Sequence, residues 1–155
     1  MGFSEWLIAL HVIAAFALMA ALVLFTAVMV ASWGVDSPRR ASAYFRLAAI
    51  GGPLVGAGAG LALLLGIALA IDLDDYQVWD PWILASIVLW AVGGAAGDRV
   101  GRHYTAAQQF AAGLGEESSP ELAAQLSDRR TRILHVVTVS AFTLILLLMI
   151  FKPGA

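Results

Sequence analysis

Residues 6–33 read WLIALHVIAAFALMAALVLFTAVMVASW, and no acidic or basic residue occurs between Glu5 and Asp36. A bilayer core takes about 20 apolar helical residues, so this run spans a membrane with length to spare. Three more charge-free runs follow, from Leu47 to Ile71, from Pro81 to Gly97 and from Ile133 to Phe151. Backbone groups in lipid must be hydrogen-bonded within their own segment, which favours helices. A β-barrel would alternate apolar and polar residues, and these runs are apolar all round. The composition agrees: 13% of residues are charged, against roughly 25% in a soluble domain. The expected fold is all-α, a polytopic membrane protein of one domain over residues 1–155. Four transmembrane helices, at residues 6–33, 47–71, 81–97 and 133–151, form an up-down bundle. The first run lacks a basic leader and is too long for a signal-peptide core, so it is expected to be retained.

The basic residues set the orientation. Arg39, Arg40 and Arg46 follow helix 1; Arg99, Arg102, Arg129, Arg130 and Arg132 follow helix 3. The loop between helices 2 and 3 holds Asp72, Asp74, Asp75 and Asp80 with no basic residue. Basic loops stay cytoplasmic, so both termini and the acidic loop are expected outside, in a bacterial cytoplasmic membrane. Trp6 and Trp33 bracket helix 1, and Trp79 and Trp82 open helix 3, as interfacial indoles do. Trp90 is the exception: deep in helix 3, its N–H needs a partner.

Ser37-Pro38, Asp80-Pro81 and Ser119-Pro120 each set a capping side chain before a proline, a combination that opens helices. Helix 2 is therefore expected to begin near Pro38 and helix 4 near Pro120. Helix 3 continues through 98–112, and GLGEESS at 113–119 turns a cytoplasmic helical hairpin between helices 3 and 4. Small residues let helix backbones approach closely in lipid. Gly52, Gly56 and Gly60 form one row on helix 2, and Gly58, Ala62, Gly66 and Ala70 a second; Gly93, Gly97 and Gly101 recur on helix 3. Two readings stand: packing of helix 2 on helix 3, or self-association into a homo-oligomer. Pro53 predicts a kink or irregular turn at the cytoplasmic end of helix 2. Helix 4, glycine-free and Leu-rich, is expected to face lipid broadly.

Polar residues within a membrane are functional candidates. They are few: His11, Thr26, Ser86, His135, Thr138, Ser140 and Thr143. Serine and threonine hydroxyls on helices commonly bond the preceding turn. No Asp, Glu, Lys or Arg is central to a span, which weighs against a permease or pump. Two histidines invite a haem clamp, but His11 lies about 7–8 Å from the outer interface and His135 roughly 5 Å from the inner one, at 1.5 Å per residue. Their depths then differ by about 15–20 Å across a core of this thickness. Each is left as a lone ligand or as a helix–helix hydrogen-bonding residue; His103, beside Arg99 and Arg102, is read as solvated. The acidic loop lacks EF-hand spacing. Arg129, Arg130 and Arg132 are placed to meet lipid headgroups and pin helix 4. Acids balance arginines in that loop, so no nucleic-acid partner is expected. With no cysteine and no nucleotide or nucleophile motif, neither a catalytic residue nor a metal site is assigned.

Leu7 to Ala15, with His11 inside, resembles the LxxLHxxxA-type first helix of a widespread bacterial family of small four-helix membrane proteins of unknown function. The Gly-rich 51–66, the tryptophan-led 79–97 and the Phe151-Lys152-Pro153 tail resemble that family too. A more distant similarity is to CopD-like copper-resistance domains and HemJ-type protoporphyrinogen oxidases, which also place a histidine early in helix 1. Only His11 carries over: the oxidases want a lysine within a later helix, and copper handling wants clustered methionine or histidine. Met19 lies two turns from His11, too far to share a metal with it. The expected role is an accessory or structural membrane protein without catalytic machinery, self-associating or paired with a membrane partner. The alternatives are a haem- or quinone-binding redox protein using His11, and a metal or small-molecule permease.

Overall fold

The computed structural model describes residues 2–73, 77 and 79–153. Its helices are α1 (Phe3–Ser32), α2 (Pro38–Asp72), α3 (Pro81–Gly113), α4 (Pro120–Leu126) and α5 (Arg129–Phe151). α1, α2, α3 and the α4–α5 unit are each long and apolar enough to cross a membrane. No strand occurs among the described residues. At 1.5 Å per residue, the 35-residue α2 runs about 52 Å, so its ends stand clear of an apolar layer near 30 Å. Large apolar side chains face outward on every span: Phe16 is 73% exposed, Leu64 67%, Val88 62% and Val136 62%. In water such faces would drive association; in hydrocarbon they are the solvated surface. The acidic-loop reading falls partly on residues 74–76 and 78, outside the described residues.

Two close pairs make the bundle. α1 packs along α2 and α3 along α5; α2 meets α3 over a shorter stretch, and α1 scarcely touches α5. α2 thus has α1 as its main neighbour and α3 as its second. A Cβ on Gly58 would lie 3.3 Å from the Leu18 Cα of α1, and one on Gly66 would lie 3.1 Å from the His11 ring. That row seats α2 on α1. A Cβ on Gly93 would lie 3.0 Å from the Ala141 Cβ, and one on Gly97 would lie 3.3 Å from the Thr138 methyl. Those two seat α3 on α5. A glycine period marks a flat helix face without saying which neighbour presses on it.

At the arginine-bearing end, Phe25, Phe45, Val100, Tyr104, Leu122 and Leu126 share one core. The hairpin of late α3 and α4 thus folds onto the bundle instead of projecting from it. The Ser119 N–H donates to the Asp36 carbonyl (2.9 Å), and the Gly34 N–H donates to Ser127 Oγ (2.9 Å). These bonds tie the α1–α2 turn to both ends of α4, and Gly34 supplies the left-handed φ of 71° that the turn needs. Tyr104 closes the same region: Ser32 donates to the Met29 carbonyl, so the Tyr104 hydroxyl donates to Ser32 Oγ at 2.8 Å. Burial pushes the Tyr104 phenol up.

All three proline-led helices start where the sequence placed them, but only Ser119 caps with its side chain, accepting from the Leu122 N–H. Asp80 accepts instead from the Gln77 N–H at 3.1 Å. α2 runs unbroken through Pro53. Residues 120–151 are two helices, because Asp128 starts a new one: its Oδ2 accepts from the Thr131 N–H and Oγ1–H at 2.7 and 2.8 Å. These bonds hold the Asp128 carboxyl below its ordinary value. The cap therefore contributes fully above the unfolded-state pKa and fades as pH falls through the lowered folded one. Asp128→Ala is expected to cost about 1 kcal/mol at neutral pH. The difference in melting temperature from the parent should shrink on acidification, and a constant difference would contradict the cap.

Candidate functional site

Most polar groups in the apolar layer are satisfied close to home. Ser86 Oγ donates to the Trp82 carbonyl at 2.8 Å. Thr138 Oγ1 faces the carbonyls of Leu134 and Gly93 at 3.0 and 3.3 Å. The Trp90 indole finds the partner it needs in the Ala59 carbonyl of α2, at 3.0 Å. Thr26 donates to the Leu22 carbonyl at 2.7 Å, and the same oxygen lies 2.8 Å from His135 Nε2. A hydroxyl has one proton to give, so His135 is the donor in that pair and carries its proton on Nε2. His135 is only 6% exposed, its ring tilted against Phe25.

His11 sits apart from this network. Thr26, which touches His135, lies fifteen residues beyond His11 on α1, about 22 Å along the axis. The two histidines accordingly cannot share a guest. The His11 ring packs over Gly66 with the Ala62 carbonyl beside it. Its Nδ1 is buried and has no hydrogen-bond partner among the described residues.

That ring lines a cavity of about 650 Å³ to which all four spans contribute. Met19 joins His11 from α1, Gly66 and Leu69 come from α2, Trp82, Ser86 and Trp90 from α3, and Phe142 and Met149 from α5. Because α1 and α5 scarcely meet, the space reaches the lipid side between them, past Ile8 and Phe16 on one flank and Ile150 on the other. Ligand cavities in proteins span roughly 300–1,000 Å³ and are mostly apolar with a few placed polar groups. This one offers the His11 imidazole, two indoles, the Ser86 hydroxyl, two methionine thioethers and Lys152, and otherwise hydrocarbon. Such a lining suits one hydrogen bond or one coordinate bond to a guest, with aromatic faces for a planar ring. Among the described residues, no three His, Cys, Asp or Glu side chains are grouped to hold a metal.

The other residues singled out from the sequence are placed as follows. Gly93 and Gly97 meet α5, whereas Gly52, Gly56, Gly60 and Gly101 have nothing among the described residues within 4 Å of an added Cβ. Arg129 and Arg130 are exposed; Arg132 is half-buried, its guanidinium 5.2 Å from the Trp33 ring centre. His103 is not solvated: it is part-buried and donates Nε2–H to the Gln125 carbonyl at 2.8 Å, joining α3 to α4. Reading along the chain found His11 but not its cavity, whose walls come from four separate helices. Ala62 and Gly66 in the second small-residue row were the one signal, since they leave room for an imidazole.

No curated protein and no solved structure matches the chain significantly. A family model matches it over residues 5–153, nearly its whole length: the chain belongs to the family described as predicted integral membrane protein (DUF2269).

Proposed function

We propose that this integral membrane protein is an accessory protein of the bacterial cytoplasmic membrane that holds one apolar molecule with a planar polar head, of the quinone class, beside His11. The observation that carries this is the His11 imidazole lining a 650 Å³, mostly apolar cavity. Trp82 and Trp90 supply aromatic faces for the head, and the gap between α1 and α5 admits a guest from hydrocarbon. On the positive-inside rule, the arginine-bearing loops face the cytoplasm and the His11 end faces outward. Haem is the second reading, since a single histidine can hold haem iron as an axial ligand and His11 lines a cavity of this size.

Titration of the detergent-solubilised protein with a short-tailed benzoquinone, followed by tryptophan fluorescence, tests the proposal. Saturable one-to-one quenching is expected, weakened about tenfold or more in His11→Ala. Quenching that never saturates, or that is the same in both proteins, overturns it. A Soret band in the purified protein that His11→Ala removes would put haem in place of the quinone.

A further inference from the structure

A second cavity, of about 620 Å³, lies between α2 and α3 toward the arginine-bearing end. Ala59 and Phe142 border both cavities, and the Trp90–Ala59 hydrogen bond stands at that partition. Its flanks are glycine: Gly52 and Gly56 on α2, and Gly94, Gly97 and Gly101 on α3. Glycine rows in membrane helices ordinarily bring two backbones together. Here, Gly52, Gly56, Gly94 and Gly101 have nothing among the described residues within 4 Å of an added Cβ. The rows bound a slot instead of closing a seam.

Phe25, Phe142 and the nine-tenths-buried His135 form the inner wall. Ala49, Pro53 and Gly56 on the α2 side are exposed, so the slot opens toward lipid. Its lining changes character along α3, where Asp98, Arg102, Thr105 and Gln108 are all exposed. Asp98 and Arg102 pair at 2.6 Å. An apolar slot with an ion pair at its rim fits an amphiphile, the chain inside and the head at the charges. The rim carries both signs one helical turn apart. A head bearing phosphate and ammonium meets Arg102 with one and Asp98 with the other, whereas a head of net negative charge leaves Asp98 opposing it. We propose that this slot is a phospholipid site: it holds one acyl chain of a zwitterionic, phosphatidylethanolamine-type lipid, with the head at Asp98 and Arg102. The site is separate from the His11 cavity and does not depend on what fills that one.

Native mass spectrometry of the full chain tests this, in micelles doped with equal dioleoyl phosphatidylethanolamine and dioleoyl phosphatidylglycerol. The parent is expected to retain one lipid, the ethanolamine form favoured about fivefold. Gly56→Leu fills the slot from a position where an added Cβ meets nothing, and should cut retention about tenfold. Arg102→Gln leaves the slot open and should bring the ratio of the two lipids close to one. Circular dichroism checks that each variant folds; were Gly56→Leu misfolded, Arg102→Gln alone would decide. The proposal is overturned by a parent that retains no lipid, or one that prefers phosphatidylglycerol. It is equally overturned by a folded Gly56→Leu that binds as the parent does, or by an unchanged ratio in Arg102→Gln. A parent dimer that Gly56→Leu converts to monomer would assign the slot to a second copy of the chain.

Discussion

Gly93→Leu is expected to force α3 away from α5 and to lower stability by about 3 kcal/mol, the upper part of the range for overpacking a filled interior. A Cβ alone at this position would sit 3.0 Å from the Ala141 Cβ and 3.3 Å from the Phe142 ring. Ala141 and Phe142 are themselves buried, at 3% and 5% exposure, and the nearest atom, the Ala141 Cβ, is fixed to its backbone and cannot rotate away. Gly60→Leu is the matched control. Gly60 belongs to an equally regular glycine row, yet nothing among the described residues approaches its Cβ position within 4 Å. Thermal unfolding in detergent should show a large drop for the first variant and little change for the second. Similar drops in both would mean that the row itself, and not the neighbour, sets the packing.

Thr26→Val is expected to cost about 1–3 kcal/mol, because it leaves the His135 Nε2–H buried without an acceptor. The reverse change is milder. In His135→Leu the Thr26 hydroxyl keeps its bond to the Leu22 carbonyl, 2.7 Å away, so the loss should stay near the average of about 0.6 kcal/mol for interhelical hydrogen bonds in membranes. The asymmetry follows from the donor order: Thr26 gives its one proton to its own helix and receives the one from His135. A double-mutant cycle on melting temperature measures it, and a greater cost for His135→Leu would reverse the assigned proton.

The spans were legible because charge cannot be hidden in hydrocarbon. The charge-free stretches after Arg46, Asp80 and Arg132 each fall within an observed helix, and the one after Glu5 overruns α1 only by residues 33–35. Pro38, Pro81 and Pro120 marked helix starts correctly, since proline at a first turn loses no hydrogen bond. The break before Arg129 was not legible. Asp128 looks like any polar residue until its carboxylate is seen bound to both Thr131 donors. The main partner of each helix was not legible for a related reason. The rows at Gly52 and at Gly58 have the same period, and only the fold shows that Leu18 presses on Gly58 while Gly52 and Gly56 border an open slot. His11 was visible as an isolated imidazole in an apolar run. That its ring lines one cavity with Trp82 and Trp90 depends on how the four spans are spaced, which no local pattern encodes.

The central claim is that the cavity beside His11 holds a guest. The most direct measurement is organic extraction and mass spectrometry of the protein purified in mild detergent, parent and His11→Ala side by side. The account predicts close to one quinone-class molecule per parent chain and a large loss in a variant that remains folded. Extracts that match in the two proteins, or that contain only bulk membrane lipid, would contradict it.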